Sequence, residues 1–568
     1  MEEKFNNLEN FEIEGNKANN TEEKRSRKNY IIFGLLGLII IAAIVVILYF
    51  VLRDKKDEQN DENNKNSCVI GNEDNCLTCN KDKCGSCNYK YKLIDGKCKA
   101  EFSIRAIYIT TNETENVSLI NDIYEENIIS MDIDNKTVTP SSNYTFKSPG
   151  NHTVYISFNT DNLSNLSLFN NTENLIEVYF SKEFDMKNIT SLTELFKYCS
   201  NLLKVDLSNL NFKNIEFMDK IFYFCESLKE IKFPSSGTPN LKIMDFMFLG
   251  CRELTTINLK NFNTEEVITM NGLFFSCNSL TSIDLSNFNT SNVVEMYVLF
   301  ADCFSLTSIN VSNFDTRKVK YINNMFQNCY SLKSIDLSNF NTENLENMNA
   351  LFYGCENLEF VNVSSFNTSK VTSMVSVFYD CSSLTSIDVS NFDTSNVEKM
   401  RFTFVGCASL KSIDVSNFNT EKVKDMWGMF AECKSLTSID VSNFNTEKVE
   451  TMLGMFSECY SLTSINVSNF KTDNLINIDY LFELCQSLTS IDLSSFNTEK
   501  VENMTEVFVN CSNLTYIDIS NFSNNTKDFI NVFEGVAPNG TIKINKDIES
   551  KIDISETWTK LYPNETEL

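Results

Sequence analysis

The sequence predicts an α/β solenoid, a long stack of short coils that each carry one strand and one helix. Three observations carry that expectation. Cysteine recurs every 26 residues from Cys199 to Cys511, through Cys225, Cys251, Cys277, Cys303, Cys329, Cys355, Cys381, Cys407, Cys433, Cys459 and Cys485. A Phe stands three residues before each of these and a Leu three residues after. The hydrophobic period also changes within the unit, from two in its first half to between three and four in its second. A fixed repeat of this length signifies coils that cannot bury their faces alone and become stable by stacking.

One unit reads "CKSLTSIDVSNFNTEKVETMLGMF" (Cys433–Phe456). Leu436, Ile439, Val441 and Phe444 face inward with Thr437, Asp440 and Ser442 between them, the pattern of a short strand. Val449, Met452, Met455, Phe456 and Cys459 fall on one face of a helix of about three turns. Thr446 followed by Glu447 is the expected N-cap, with an acid in the first turn. Stacking at ~4.8 Å turns the Phe, Leu, Met and Cys positions into ladders of core packing. The thirteen solenoid cysteines are expected as reduced, buried thiols. Parallel side chains in a ladder all point the same way, whereas a disulfide needs a dihedral near about ±90°.

The pattern "SLTSIDLSNFNTxxVxxMxxMFxxC" resembles the leucine-rich repeats of BspA-like surface proteins over residues 165–535. That resemblance implies an α/β solenoid with a surface adhesion or recognition role. One departure concerns the turns. Ordinary leucine-rich repeats place an Asn ladder where this chain has Phe262, Phe288, Phe314 and Phe340, so an aromatic spine is expected there instead.

The remaining elements follow in chain order. Residues 1–30 are polar and charged and end near "KRSRK" (24–28), as expected of a disordered cytoplasmic tail. Residues 31–52 carry no charge. A helix of that length is ~33 Å long, enough to cross a bilayer as a signal-anchor. Flanking charge only weakly favours the N-terminus inside. Residues 53–67 form an Asn-rich, charged stalk. Residues 68–99 hold Cys68, Cys76, Cys79, Cys84, Cys87 and Cys98 with few apolar side chains for a core. Two CxxC hooks admit a zinc site. The hooks lie close together and six thiols exceed what zinc needs, so three disulfides in an oxidising compartment are the favoured reading, pairing open. The segment "CLTC…CGSCNYKYKLIDGKC" resembles EGF-like and receptor-type modules of surface proteins.

Residues 100–165 read as a β-rich N-terminal cap, with strands expected at 102–111, 128–134 and 152–159. The solenoid spans 166–536, beginning with a coil that lacks its Cys. Residues 537–568 form a C-terminal cap, with a final strand at 540–548 and an amphipathic piece at 555–563.

Sequons crowd the cap and first coil at Asn112, Asn116, Asn135, Asn143, Asn151, Asn162, Asn165, Asn170 and Asn188, as fits glycosylation in a lumenal region. Together with the cysteines they place the solenoid outside the cell, on a single-pass protein of the plasma membrane. The net charge of −27 argues against nucleic acid as a partner. The single histidine, His152, reads as a surface-loop residue. No P-loop, dinucleotide fingerprint or HExxH motif is present, so no enzyme activity, cofactor or metal centre is expected. The repeated Asp206, Asp284, Asp336, Asp388, Asp414, Asp440, Asp492 and Asp518 admit calcium but read first as a solvated face. Partner binding is expected on the outward strand face; Tyr297, Tyr321, Phe360, Arg401 and Trp427 break the repeat elsewhere, and those that are exposed are candidate anchors. The expected function is adhesion or recognition of extracellular protein or glycan ligands. A glycosylated structural surface coat with no specific ligand is the alternative.

Overall fold

The computed structural model describes the backbone of residues 76–80, 83–87, 91–94, 97–100, 102–526 and 528–563. The expected tail, transmembrane segment at 31–52, stalk and Cys68 lie outside the described residues. Among those described, no helix is long and apolar enough to cross a membrane.

The cysteine-rich segment forms short strands. β1 (Cys76–Asn80) pairs antiparallel with β2 (Lys83–Cys87), setting Cys76 opposite Cys87 and Cys79 opposite Cys84. β3 (Tyr91–Ile94) pairs with β4 (Lys97–Ala100), which carries Cys98.

The N-terminal cap contains the three expected strands, now β5 (Ile104–Thr110), β7 (Ile128–Ile133) and β10 (Gly150–Phe158). A small hairpin pairs β6 (Glu115–Ser118) with β9 (Asn143–Phe146), and β8 (Lys136–Val138) follows β7 through a turn in which Asp134 and Asn135 both have positive φ. β10 lies between β5 and β7, all antiparallel. β5 then pairs antiparallel with β11 (Leu175–Phe180), the strand of the first coil. From there the sheet runs in parallel through β12 (Lys204–Asp206) to β13 (Glu230–Lys232). The cap therefore fills the backbone edge that a bare first coil would leave open, a standing liability of sheet edges.

The solenoid is present and its core is continuous, but the second half of each coil is not a helix. Among the described residues the helices are two short 3₁₀ segments, Asp122–Asn127 in the cap and Lys546–Lys551 near the C-terminus. The run expected to be helical is a chain of tight turns whose N–H groups alternate in direction. In the coil ending at Cys459, Met455, Ser457 and Cys459 donate to carbonyls three residues back, at 3.0–3.3 Å. Between them Gly454, Phe456 and Glu458 donate to Asp479, Leu481 and Glu483 of the next coil, at 2.8–3.1 Å. In all thirteen cysteine coils the residues five and one before the Cys have positive φ, which is what swings alternate amides along the stack. They include Val298 at φ 48 and Phe402 at φ 59, residue types for which this region costs about 1–2 kcal/mol. A helix satisfies its own amides and is ~10 Å wide, so one per coil would keep strand spacing only in an array curved with the helices outside. The turn run shares the apolar intervals of a helix and fits the rise.

Thr446 accordingly caps no helix. Its buried hydroxyl donates to the carbonyl of Lys471 at 2.9 Å and accepts from the amide of the same residue at 2.8 Å. Thr264, Thr290 and Thr342 make the same two-way rung to the next coil. Strands in the first half of the unit are confirmed in places, such as Ser334–Asp336 with Phe360–Asn362 and Ser490–Asp492 with Tyr516–Ile519. Several coils between them lack regular strand pairing on that face.

Two aromatic ladders run through the core. The rings from Phe196 to Phe508 stack coil to coil at 5.4–6.0 Å, within 13° of parallel. The expected spine at Phe340, Phe366 and Phe392 is also buried and more loosely stacked, at 6.3–6.5 Å. It does not replace an Asn ladder, because one stands beside it. Asn443, one residue before Phe444, donates through Nδ2 to Val415 and Phe418 carbonyls of the previous coil at 3.2 and 3.1 Å, as Asn313 and Asn417 do in theirs.

At the C-terminus, Thr541–Ile544 pairs in parallel with Tyr516–Ile519, and Thr559–Leu561 pairs with it in turn. Trp558 is buried there and its indole N–H donates to Ala537 at 2.9 Å.

The left-handed positions give a direct test. Gly428 (φ 58) and Gly454 (φ 54) are equivalent in their coils, but a Cβ on Gly428 would lie 2.8 Å from the Phe402 ring, whereas one on Gly454 meets nothing closer than 3.6 Å. Gly428→Ala is expected to destabilise the solenoid more than Gly454→Ala. The second variant carries only the backbone cost of about 1–2 kcal/mol. Denaturant unfolding of the two variants checks the difference.

Candidate functional site

The solenoid presents two chemically distinct surfaces, and each follows from the repeat. On the strand side, Asp284, Asp336, Asp388, Asp414 and Asp440 each accept the amide of the Ser two residues on, at 2.9–3.1 Å. The carboxylates close their own turns. Bonds from that Ser hold all five below the usual carboxylate range. In the coils of Asn310, Asn362 and Asn466 an amide oxygen makes the same bond, at 3.0–3.2 Å. Among the described residues no group of three His, Cys, Asp or Glu side chains is arranged to hold a metal ion.

The opposite edge is formed by the turn run, and here coils differ from one another. Of the expected anchors, Arg401 and Trp427 meet. The Arg401 guanidinium carbon lies 3.8 Å from the Trp427 ring centroid and 4.9 Å from that of Phe402. Tyr321 sits elsewhere and donates to Glu346 at 3.2 Å. Phe360 stands 55 % exposed on the strand side, apart from these rings. Asp380 and Asp245 on the turn edge are pushed up to about 6, chiefly by burial and further by neighbouring acids.

The thirteen cysteines are free and buried, as expected, and they are more than apolar filler. Each Sγ donates to the carbonyl of the ladder Phe one coil back, at 3.0–3.3 Å. Burial pushes the thiols up, to about 12 at Cys355, Cys459 and Cys511.

His152 is not a surface-loop residue. It is 6 % exposed, its Nδ1 lies 2.7 Å from Asp134 Oδ2, and its Nε2 lies 3.1 Å from Thr110 Oγ1 and 3.0 Å from the Ser148 carbonyl. Its ring stacks on Phe146 at 4.0 Å. Strand alternation could have shown this, since the ring shares a face with Val154 and Ile156. Thr110 spends its hydroxyl on backbone carbonyls as well, so the cluster fastens strands in the cap.

Of the nine sequon asparagines, Asn112, Asn116, Asn135, Asn143, Asn151, Asn162, Asn165 and Asn188 are exposed. Asn170 is half-buried, with Nδ2 bonded to Glu194 at 3.2 Å.

This arrangement of uniform coils, inter-coil backbone bonds and residue ladders defines a leucine-rich-repeat-like β-solenoid. More particularly, the chain belongs to the family described as "Mycoplasma protein of unknown function, DUF285", which matches residues 141–256, 242–360, 347–464 and 429–549. No curated protein matches it. Solved structures similar to it include a leucine-rich repeat protein from Eubacterium ventriosum, at 15 % identity over 65 % of this chain and 92 % of that one, TM-score 0.31. A second is the functional domain of InlJ from Listeria monocytogenes, which includes a cysteine ladder, at 13 % identity over 72 % and 75 %, TM-score 0.18. A third is TLR13 in its complex with ssRNA13, at 17 % identity over 66 % of this chain and 49 % of that one, TM-score 0.23, so this chain spans about half of it. All three scores are low, and membership of the family rests on the sequence match.

Two outcomes follow. The depressed carboxylates at Asp284, Asp336, Asp388, Asp414 and Asp440 contribute stability above the ordinary Asp value, and it is lost as pH falls below about 4. Asp245 and Asp380 act in the opposite sense, their ionisation opposing folding as pH rises toward about 6. Unfolding measured across pH is therefore expected to show greatest stability near about pH 4, declining from there to about 6. Separately, a maleimide reagent near neutral pH is expected to leave all thirteen solenoid thiols unlabelled in the folded protein and to label all thirteen in denaturant, read by mass spectrometry.

Proposed function

We propose that this is a membrane-anchored recognition or adhesion protein of the cell surface. In this reading residues 1–30 lie in the cytoplasm, residues 31–52 cross the plasma membrane once, and a disulfide-rich, EGF-like module at 68–99 joins the anchor to a solenoid displayed outside. Its partners are extracellular proteins or glycans, and it carries out no catalysis and uses no cofactor. The observation that supports the reading best is the crowd of eight exposed sequon asparagines on the cap and first coil, beside a long uncharged stretch in the sequence. The fold adds a reason to expect binding. Its core repeats almost without change, while its turn edge varies coil by coil, which is where selective contacts can be made without disturbing the stack.

External protease on intact cells, with an antibody against the repeats, tests the topology. Loss of the repeat signal is expected, and a protected signal would overturn the reading. Enzymatic deglycosylation is expected to lower the mass, with Asn→Gln changes at the exposed sequons each removing a share and Asn170→Gln removing none. Saturable binding of the purified protein to cells or matrix separates recognition from a purely structural coat, for which no saturation is expected.

A further inference from the structure

Six aromatic side chains cross the turn edge as a diagonal file in two linked groups, Phe304 with Tyr330 and then Tyr353 through Trp427. Phe304 and Tyr330 follow their cysteines by one residue, Tyr353 and Tyr379 precede theirs by two, Phe402 by five and Trp427 by six. Other coils place Asn278, Gln327, Ser382 and Ala431 at such positions, and some place an aromatic there, as with Phe246, Phe275, Tyr297 and Tyr460; the file takes one such ring from each of six successive coils. The centroids of Phe304 and Tyr330 lie 4.9 Å apart, those of Tyr353 and Tyr379 4.5 Å, those of Tyr379 and Phe402 6.2 Å and those of Phe402 and Trp427 4.9 Å. All six are half-buried. They therefore form a surface feature, in contrast to the fully buried ladder behind them.

Carboxylates accompany the rings. Asp302, Glu356 and Asp380 act on Tyr330, and Asp380 and Glu432 act on Tyr379. Nearby cations are few. Lys434 is shared between Glu432 at 3.3 Å and Glu458 at 3.6 Å, and Arg401 covers Trp427.

Resting on the recognition reading above, we propose that this diagonal file and its four acids form a docking surface for a Lys- or Arg-rich extended segment of a partner protein. Charge complementarity selects the occupant. Asp380 bears a cost of ionisation, from burial and from Glu432 and Glu356, that Lys434 offsets only in part and an incoming cation relieves further. Tyr353 and Tyr379 are within 8° of parallel and stacked on each other along the coil axis, so their edges rather than their faces meet solvent. Ring edges form a wall for the aliphatic stems of Lys and Arg. Sugar stacking needs an open face, which disfavours a glycan here. At the end of the file the Trp427 face is already covered by the Arg401 guanidinium.

The test is fluorescence anisotropy of the full chain with a labelled peptide of alternating Lys and Ser, a matching Glu–Ser peptide and a neutral glucan oligosaccharide. Saturable binding of the Lys peptide alone is expected, weakened about tenfold by the double variant Asp380→Asn with Glu432→Gln. Asp380 has φ 53, a conformation Asn accepts, so this variant keeps the fold. The control Asp414→Asn with Asp440→Asn removes the same charge from the strand side and is expected to leave binding unchanged. Equal weakening by both variants, or binding of the oligosaccharide in place of the peptide, would overturn the proposal. Saturable cell binding by a parent chain that ignores the Lys peptide would overturn this surface alone. A parent chain with no saturable cell binding overturns the recognition reading itself.

Discussion

The structure depends on one constraint, that alternate amides of the turn run must reach the next coil. Each coil rises by little more than the thickness of a strand, and its second half satisfies that spacing only if every other N–H points along the axis. The two left-handed residues per coil make this possible. Their conformational cost is about 1–2 kcal/mol each for non-glycine residues. The inter-coil bonds from Gly454, Phe456 and Glu458 and their equivalents offset it, at about 1 kcal/mol each, together with ring burial between them. Because the same register is held throughout, the ladder Phe rings stack, the thiols find the carbonyl behind them, and the Thr hydroxyls bridge to the residue ahead. None of these would align over helices of ordinary width.

Much of this was legible in the sequence. The period of 26, the burial of Phe, Leu, Met and Cys and the strands of the cap all follow from hydrophobic spacing, which reports inward-facing side chains directly. The run from Val449 to Cys459 reads as a helix in sequence because intervals of three and four are common to a helix and to successive tight turns. The difference lies in backbone direction, which apolar spacing does not encode. Gly428 and Gly454 were a hint of left-handed backbone, but Phe402 and Val298 occupy equivalent places and dilute it. Thr446 resembles a helix cap by its local neighbours, whereas its partner lies a full coil away. His152 follows a turn signal in sequence but belongs to the strand Gly150–Phe158.

The two surfaces differ in what they are free to vary. On the strand side, Asp or Asn is bound to its own turn, so a change there disturbs the coil. On the turn edge, side chains such as Tyr379, Asp380 and Trp427 are half-buried, while Val377 and Phe378 beside them fill the core. Rings, acids and cations accumulate there without register or core being affected. The functional reading and the docking surface rest on this division between a conserved scaffold geometry within the chain and a tolerant rim.

The antiparallel join between β5 and β11 has a further consequence. Everything beyond it is a parallel array in which each turn is both guest and host of an identical neighbour. A block of 26 codons can therefore be duplicated or excised anywhere inside the array, and the closing pieces at either end will meet the same surfaces as before. What shifts is the rim. Rings brought into one file by a given number of turns would be separated by an inserted one, so lineages can change what they grip by counting turns rather than by substituting residues.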